Sequence, residues 1–240
     1  MRITEGHLLN GRVRYAQPAE GFRSGIEPVL LAASVPARAG ERVLEAGSGA
    51  GAALLCLSAR VPGISGLGVE RDAGLAALAA RNATANGWPG LTFRAGDIAD
   101  LAEGEPFDHA CANPPYHAGG GTGSSEARRD SARRAVPALF GVWAVAMGRA
   151  LRHRGTLTWI VSAAVVPACL AAMDEAGCPP ACLLPLWPRV GTPAKLVLLR
   201  GVKGGRGPFR VAAGLVLHER GEGFTAEADG LLRDGRVMDW

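Results

Sequence analysis

From residue 42 onward, short apolar runs alternate with stretches of helical spacing, and most of the runs close on glycine, an acid or asparagine. The runs are 42–47 (RVLEAG), 66–70 (GLGVE), 91–97 (LTFRAGD), 107–113 (FDHACAN), 155–163, 181–187 and 195–201. Between them, residues 52–60, 72–86, 136–151 and 165–176 read as helices. A strand buried on both faces reads as a continuous apolar run, and a helix is the usual crossover between parallel neighbours. The alternation predicts an α/β fold with a seven-stranded, mostly parallel sheet and helices on both faces. In such a sheet a ligand sits outside the C-terminal ends of the strands, and the unusual residues stand at those ends.

The segment before this pattern is different. HLLNGRVRYAQP alternates around Asn10-Gly11, a β-hairpin signal, and residues 27–35 read as a helix closed by Pro36. We therefore expect a hairpin-and-helix extension over 1–40 and one domain over 41–240; residues 117–134 read as a loop.

Composition excludes some classes. The longest apolar stretch, 135–147, is interrupted by Pro137 and Gly141 and is too short for a bilayer, and MRITEGHLLNGR lacks the regions of a signal peptide. The expectation is a cytoplasmic protein with no membrane partner. Cys56, Cys111, Cys169, Cys178 and Cys182 lie in apolar surroundings without the spacing of a metal site, and are expected to be buried and reduced. The five histidines show no metal or base spacing either, although His117 adjoins the prolines discussed below. Net charge is +4, and of 26 basic residues only Lys195 and Lys203 are lysine. Arginine suits phosphate backbones, because guanidinium pairs bidentately and stacks on bases.

VLEAGSGAGAALL places Gly47, Gly49 and Gly51 between the first strand of the alternating pattern and its helix. Glycine lets the backbone turn tightly and a ligand approach it. Taken alone, Gly47-x-Gly49-x-x-Ala52 also fits a dinucleotide site. Three acids at successive strand ends, Glu45, Glu70 and Asp97, shift the balance. A pyrophosphate is poorly served by a neighbouring carboxylate, whereas a cationic sulfonium cofactor tolerates one. The fourth strand stops on Asn113-Pro114-Pro115-Tyr116, where two prolines remove two donors and lock two φ angles.

In that order, EAGSGAG, GVERD, GDIAD and NPPY resemble the motifs of class I methyltransferases dependent on S-adenosylmethionine (SAM). The resemblance implies a Rossmann-like fold, a SAM cofactor and no metal. It implies that Gly47, Gly49 and Gly51 hold the methionine part, Glu70 the ribose, and Asp97 with Ile98 the adenine, with Glu45, Ser48, Arg71 and Asn113 also beside the cofactor. Glu45 stands where relatives commonly have Asp. The corner Asn113, Pro114, Pro115 and Tyr116 resembles that of enzymes methylating a nitrogen conjugated to a π system. There the asparagine oxygen and the first proline's carbonyl hold both N–H protons, the prolines keep the spacing, and the aromatic ring stacks on the substrate.

Longer stretches resemble the bacterial tRNA1(Val) adenine-37 N6-methyltransferase group: RVRYAQPAEGFRSGIEPVLLAASV, the glycine-rich loop after NPPY, and the tail from PAKLVLLR. In GFRSGIE, Glu27 replaces the Asp of relatives, beside Phe22 and Ser24. The implied substrate is an adenine N6 in RNA, tRNA first, with the glutamine amide of release factors and the guanine N2 of rRNA as alternatives. About forty residues before the first strand of the pattern leave little room for the helical domain of a release-factor enzyme. For nucleic acid, Arg128, Arg129, Arg133 and Arg134, together with Lys203 and Arg206, are expected beside the mouth of the site.

Overall fold

The computed structural model describes residues 1–20, 24–115, 126–219, 221 and 223–240, with the backbone alone for 126–137. Strands β1 (Ile3–Leu8) and β2 (Val13–Pro18) pair antiparallel as the expected hairpin. Its turn runs through Leu9, Asn10 and Gly11, all at positive φ. Helix α1 (Glu27–Ser34) starts with a proline in its first turn and stops before Pro36. The alternation then follows as β3 (Arg42–Ala46), α2 (Ala52–Arg60), β4 (Ser65–Glu70), α3 (Ala73–Ala85), β5 (Leu91–Ala95) and β6 (Phe107–Ala112). After these come α4 (Glu126–Ala150), β7 (Leu151–Ser162), α5 (Val166–Glu175), β8 (Pro180–Trp187) and β9 (Leu196–Val202). Two two-residue strands, β10 (Arg210–Val211) and β11 (Leu215–Val216), and helix α6 (Ala226–Asp234) complete the order.

Seven strands form the expected sheet in the order β8-β9-β7-β6-β3-β4-β5, and β10 and β11 extend it beyond β8. All are parallel except β9, which runs against both β7 and β8. Strand order reverses at β3, which pairs with β4 on one side and β6 on the other, and this opens a crevice at their C-terminal ends. One face of the sheet packs on α1, α2 and the hairpin residues Val13 and Tyr15. The other packs on Phe140, Trp143 and Met147 of α4 and Met173 of α5. All five cysteines are free and buried. Among the described residues no helix is long and apolar enough to cross a membrane.

Two elements differ from expectation. Helix α4 starts at Glu126, within the segment read as a loop, because Glu126–Ala135 is rich in the strong helix formers Ala, Arg and Glu and the helix continues through Pro137. Helix α6 was not expected. Thr225 caps it by accepting from the Ala228 N–H at 3.2 Å, Glu227 and Asp229 occupy its first turn, and Gly235 ends it at φ 65°.

Candidate active site

The strand ends at the crevice enclose a cavity of about 560 Å³. The turn after β3 supplies Gly47 and Gly49, β4 supplies Glu70 and then Arg71, the turn after β5 supplies Gly96, Asp97 and Ile98, and the exit from β6 supplies Asn113, Pro114 and Pro115. Gly25 and Glu27 close it from the α1 side and Trp143 from α4. The three loop glycines all have positive φ, yet they serve different ends. A Cβ on Gly47 would meet the Trp143 Cη2 at 2.7 Å, so this glycine makes room for the indole. A Cβ on Gly51 would meet Phe93 at 2.9 Å and Ala79 at 3.1 Å, and Gly51 does not line the cavity. Gly51 thus lets the start of α2 pack against α3 and β5. Gly49 has nothing within 4 Å of that position, so here a ligand can reach the backbone.

The acids hold this turn in shape. Glu70 Oε2 accepts from the Gly49 N–H at 2.9 Å, and Oε1 accepts from the Asp72 N–H at 3.0 Å. A carboxylate has about four acceptor directions, so roughly two remain for ligand hydroxyls. Asp97 caps the short 3-10 turn Ile98–Asp100 by accepting from the Ala99 N–H at 2.9 Å, while Arg71 Nε lies 3.6 Å from its other oxygen. Ile98 is buried and gives the cavity an apolar wall.

Glu45 is buried, and its Oε2 accepts from the Leu54 N–H at 3.2 Å, capping the first turn of α2, which has no side-chain cap of its own. It lines an adjoining chamber of about 320 Å³ that shares Gly47, Gly49, Leu75 and Asn113 with the first cavity. Burial pushes the Glu45 carboxyl up to about 8; the Leu54 N–H opposes this and Glu70 adds to it. Ser48 also lines this chamber, and its buried Oγ has no hydrogen-bond partner among the described residues. The hairpin closes the chamber with Tyr15, whose hydroxyl lies 2.7 Å from Ser24 Oγ, and with Gln17, which accepts from the Ser24 N–H at 3.1 Å.

The structure brings most of the expected residues to one place. Asn113 is half-buried, Pro114 buried and Pro115 exposed. Tyr116, His117 and Phe22 lie outside the described residues, as do the side chains of Arg128, Arg129, Arg133 and Arg134, whose backbone belongs to α4. Lys203 and Arg206 are not beside the mouth. Because β9 is antiparallel, Val202 pairs with Thr156, which on its other side pairs with His109 near the start of β6, and the following turn lies at the far end of the sheet. There the Lys203 ammonium donates to the Ala176 carbonyl at 3.3 Å. Sequence reasoning missed Trp143, Gly25 and Leu75. Trp143 carried one signal, as a large ring with Gly, Ala and Val on either side.

An open backbone face at Gly49, an orphaned Ser48 hydroxyl, and the carboxyl groups of Glu45, Glu70 and Asp97 with one arginine paired to them among the described residues fit a ligand with hydroxyls and a cationic end. A profile of the methyltransferase small domain family matches residues 27–162, more than half of the chain, and the chain belongs to that family. It is a methyltransferase dependent on S-adenosylmethionine. It is 28% identical over 222 residues to the tRNA1(Val) (adenine(37)-N6)-methyltransferase of Aeromonas hydrophila, covering 90% of this chain and 88% of that one. The enzyme of the same description from Actinobacillus succinogenes is 33% identical over 146 residues, which span 59% of this chain and 61% of the relative's length. A shorter match, 44% over 78 residues, joins 32% of this chain to 24% of the release factor glutamine methyltransferase of Rhodospirillum rubrum. Among solved structures, a predicted O-methyltransferase from Agrobacterium tumefaciens superposes with a TM-score of 0.72 at 25% identity, over 88% of this chain and 97% of that one.

Proposed function

We propose that this chain methylates the exocyclic N6 of an adenine in RNA, with position 37 of a tRNA anticodon loop as its target, in the cytoplasm. The observation that carries the reading is the placement of Asn113, Pro114 and Pro115 on the wall of the cavity that also holds Gly49, Glu70 and Asp97. SAM supplies an electrophilic methyl group on a cationic sulfur. The Gly49 backbone receives the methionine part, the free acceptor directions of Glu70 bind the ribose, and Asp97 with Ile98 receives the adenine. The Asn113 amide oxygen and the Pro114 carbonyl accept the two protons of the substrate amine, which turns its lone pair toward the methyl group. The prolines fix the spacing of these acceptors, and Tyr116 stacks on the base. No strong base is required: as the nitrogen–methyl bond formed, the methyl–sulfur bond would break to leave S-adenosylhomocysteine, and the cationic amine would then give its extra proton to water. An anticodon-loop adenine is already unpaired, so presenting it takes less unstacking than flipping a base from a duplex.

The short release-factor match favours a second reading, transfer to a glutamine amide, since the same acceptor pair suits that nitrogen. Incubation with radiolabelled SAM and separate pools of tRNA, rRNA, DNA and release factor distinguishes the two. Label recovered as N6-methyladenosine from tRNA is the expected result. Label on glutamine, or on guanine N2, replaces the substrate while leaving cofactor and fold in place.

A further inference from the structure

Asn82 in the last turn of α3 and Asn86 at the cap that follows it stand one turn apart, and each grips one residue of the outer edge of β2. Asn86 Oδ1 accepts from the Arg14 N–H at 2.8 Å, and its Nδ2 donates to the Arg14 carbonyl at 2.7 Å. Asn82 Oδ1 accepts from the Ala16 N–H at 3.0 Å, and its Nδ2 donates to the Ala16 carbonyl at 2.9 Å. The two amides thus stand where a third strand of the hairpin would pair. They differ in the second Nδ2 hydrogen. Asn86 returns it to its own helix, to the Asn82 carbonyl at 2.8 Å. Asn82 sends it to the carbonyl of Ala50, at 3.0 Å, in the turn between Gly49 and Gly51.

We propose that Asn82 is a positioning residue for the cofactor turn, and that through it the docking of the N-terminal hairpin and the affinity for SAM are coupled. The inference rests on the reading that this turn holds the cofactor. Two glycines flank Ala50, so the peptide planes there have wide freedom unless something fixes them. Glu70 fixes the Gly49 N–H and Asn82 fixes the Ala50 carbonyl, with no other side chain holding that carbonyl among the described residues. Asn82 is itself buried, at 4% exposure, and spends its amide oxygen and both amide hydrogens on these three bonds. Removing it frees the turn and leaves three backbone groups without partners. Coupling of this kind is reciprocal: whatever orders the turn steadies the hairpin, and the reverse.

The pair of asparagines supplies its own control. SAM affinity is measured by calorimetry, and amide exchange at Ala16 is followed with and without SAM, in the wild type, Asn82→Ala, Asn86→Ala and Gly49→Val. Asn82→Ala should weaken SAM binding about tenfold, the effect of losing one buried hydrogen bond and loosening the turn. Asn86→Ala should lower the melting temperature as well, yet leave SAM affinity unchanged. SAM should slow exchange at Ala16 in the wild type and in Asn86→Ala, but not in Asn82→Ala. Equal losses of affinity in the two asparagine variants, or none in Asn82→Ala, overturn the coupling. Normal SAM binding by Gly49→Val overturns instead the placement of cofactor on the turn.

Should Asn82→Ala fail to fold, Asn82→Asp decides. It keeps the acceptor for Ala16 but turns a second acceptor toward two carbonyls until it is protonated. Its SAM affinity relative to wild type should recover as pH falls; a ratio independent of pH overturns the proposal.

Discussion

The two ends of the central sheet treat their ionisable groups in opposite ways. At the far end, Asp108 accepts from the Arg42 N–H at 2.8 Å and pairs with Arg152, while His109 bridges Thr156 Oγ1 at 2.8 Å and Glu41 Oε2 at 2.9 Å. Burial works against the Asp108 charge, but the Arg42 N–H and Arg152 outweigh it and hold the carboxyl below its ordinary range. At the cleft end, Glu45, Glu70 and Asp97 accept from backbone N–H groups, and Arg71 is the one cation paired with them among the described residues. Glu45 is accordingly pushed up to about 8, chiefly by burial. The far end satisfies its charges within the chain. The cleft leaves acids facing a cavity, the arrangement on which the proposed placement of a cationic cofactor rests.

Breaking the cleft at its acceptor corner should have the largest effect. Asn113→Ala is expected to lower turnover by at least about 10²-fold, in line with the loss of one oriented polar contact to the reacting group. SAM affinity should stay within a few-fold, and survival of turnover would remove the acceptor role from Asn113.

A smaller effect, with a sign, is expected at Glu45. A cation favours the ionised carboxyl, so SAM affinity should rise a few-fold as pH rises through about 8, and Glu45→Gln should abolish that slope. Stability should run the other way. A carboxyl whose folded value is raised from 4.5 to about 8 contributes stability that is intact below pH 4.5 and lost as pH rises toward 8. Glu45→Gln should flatten this limb in melts without cofactor.

At the far end the sign reverses. The depressed Asp108 carboxyl contributes stability above its ordinary value of 3.8 that is lost as pH falls through its folded value. Asp108→Asn should lower Tm by about 2–4 °C near neutral pH, the shift that about 1 kcal/mol makes in a domain of this size. SAM affinity should not change. A loss of affinity there would mean that the two ends are not independent.

The alternation from residue 42 was readable because buried parallel strands and their crossover helices write local patterns. The strand-end acids were readable for the same reason, since a strand's last residue is a position in the chain before it is a position in space. What escaped was not local. That β9 runs backward is decided by its neighbours β7 and β8, and this alone moved Lys203 and Arg206 away from the cleft. The separate tasks of Gly47 and Gly51 depend on Trp143 and Phe93, each far along the chain. Asn82 reads as an ordinary polar residue on a helix until β2 is laid beside it.

The backward run of β9 also decides where this protein can be extended. The turn that follows it, 203–209, is exposed from Arg206 onward and is separated from the cleft by the length of a seven-residue strand, about 20 Å. A reporter or an affinity handle placed between Arg206 and Pro208 would stand behind the catalytic face. The enzyme could then be tethered to a surface with its crevice turned outward and unobstructed, even for a macromolecular substrate.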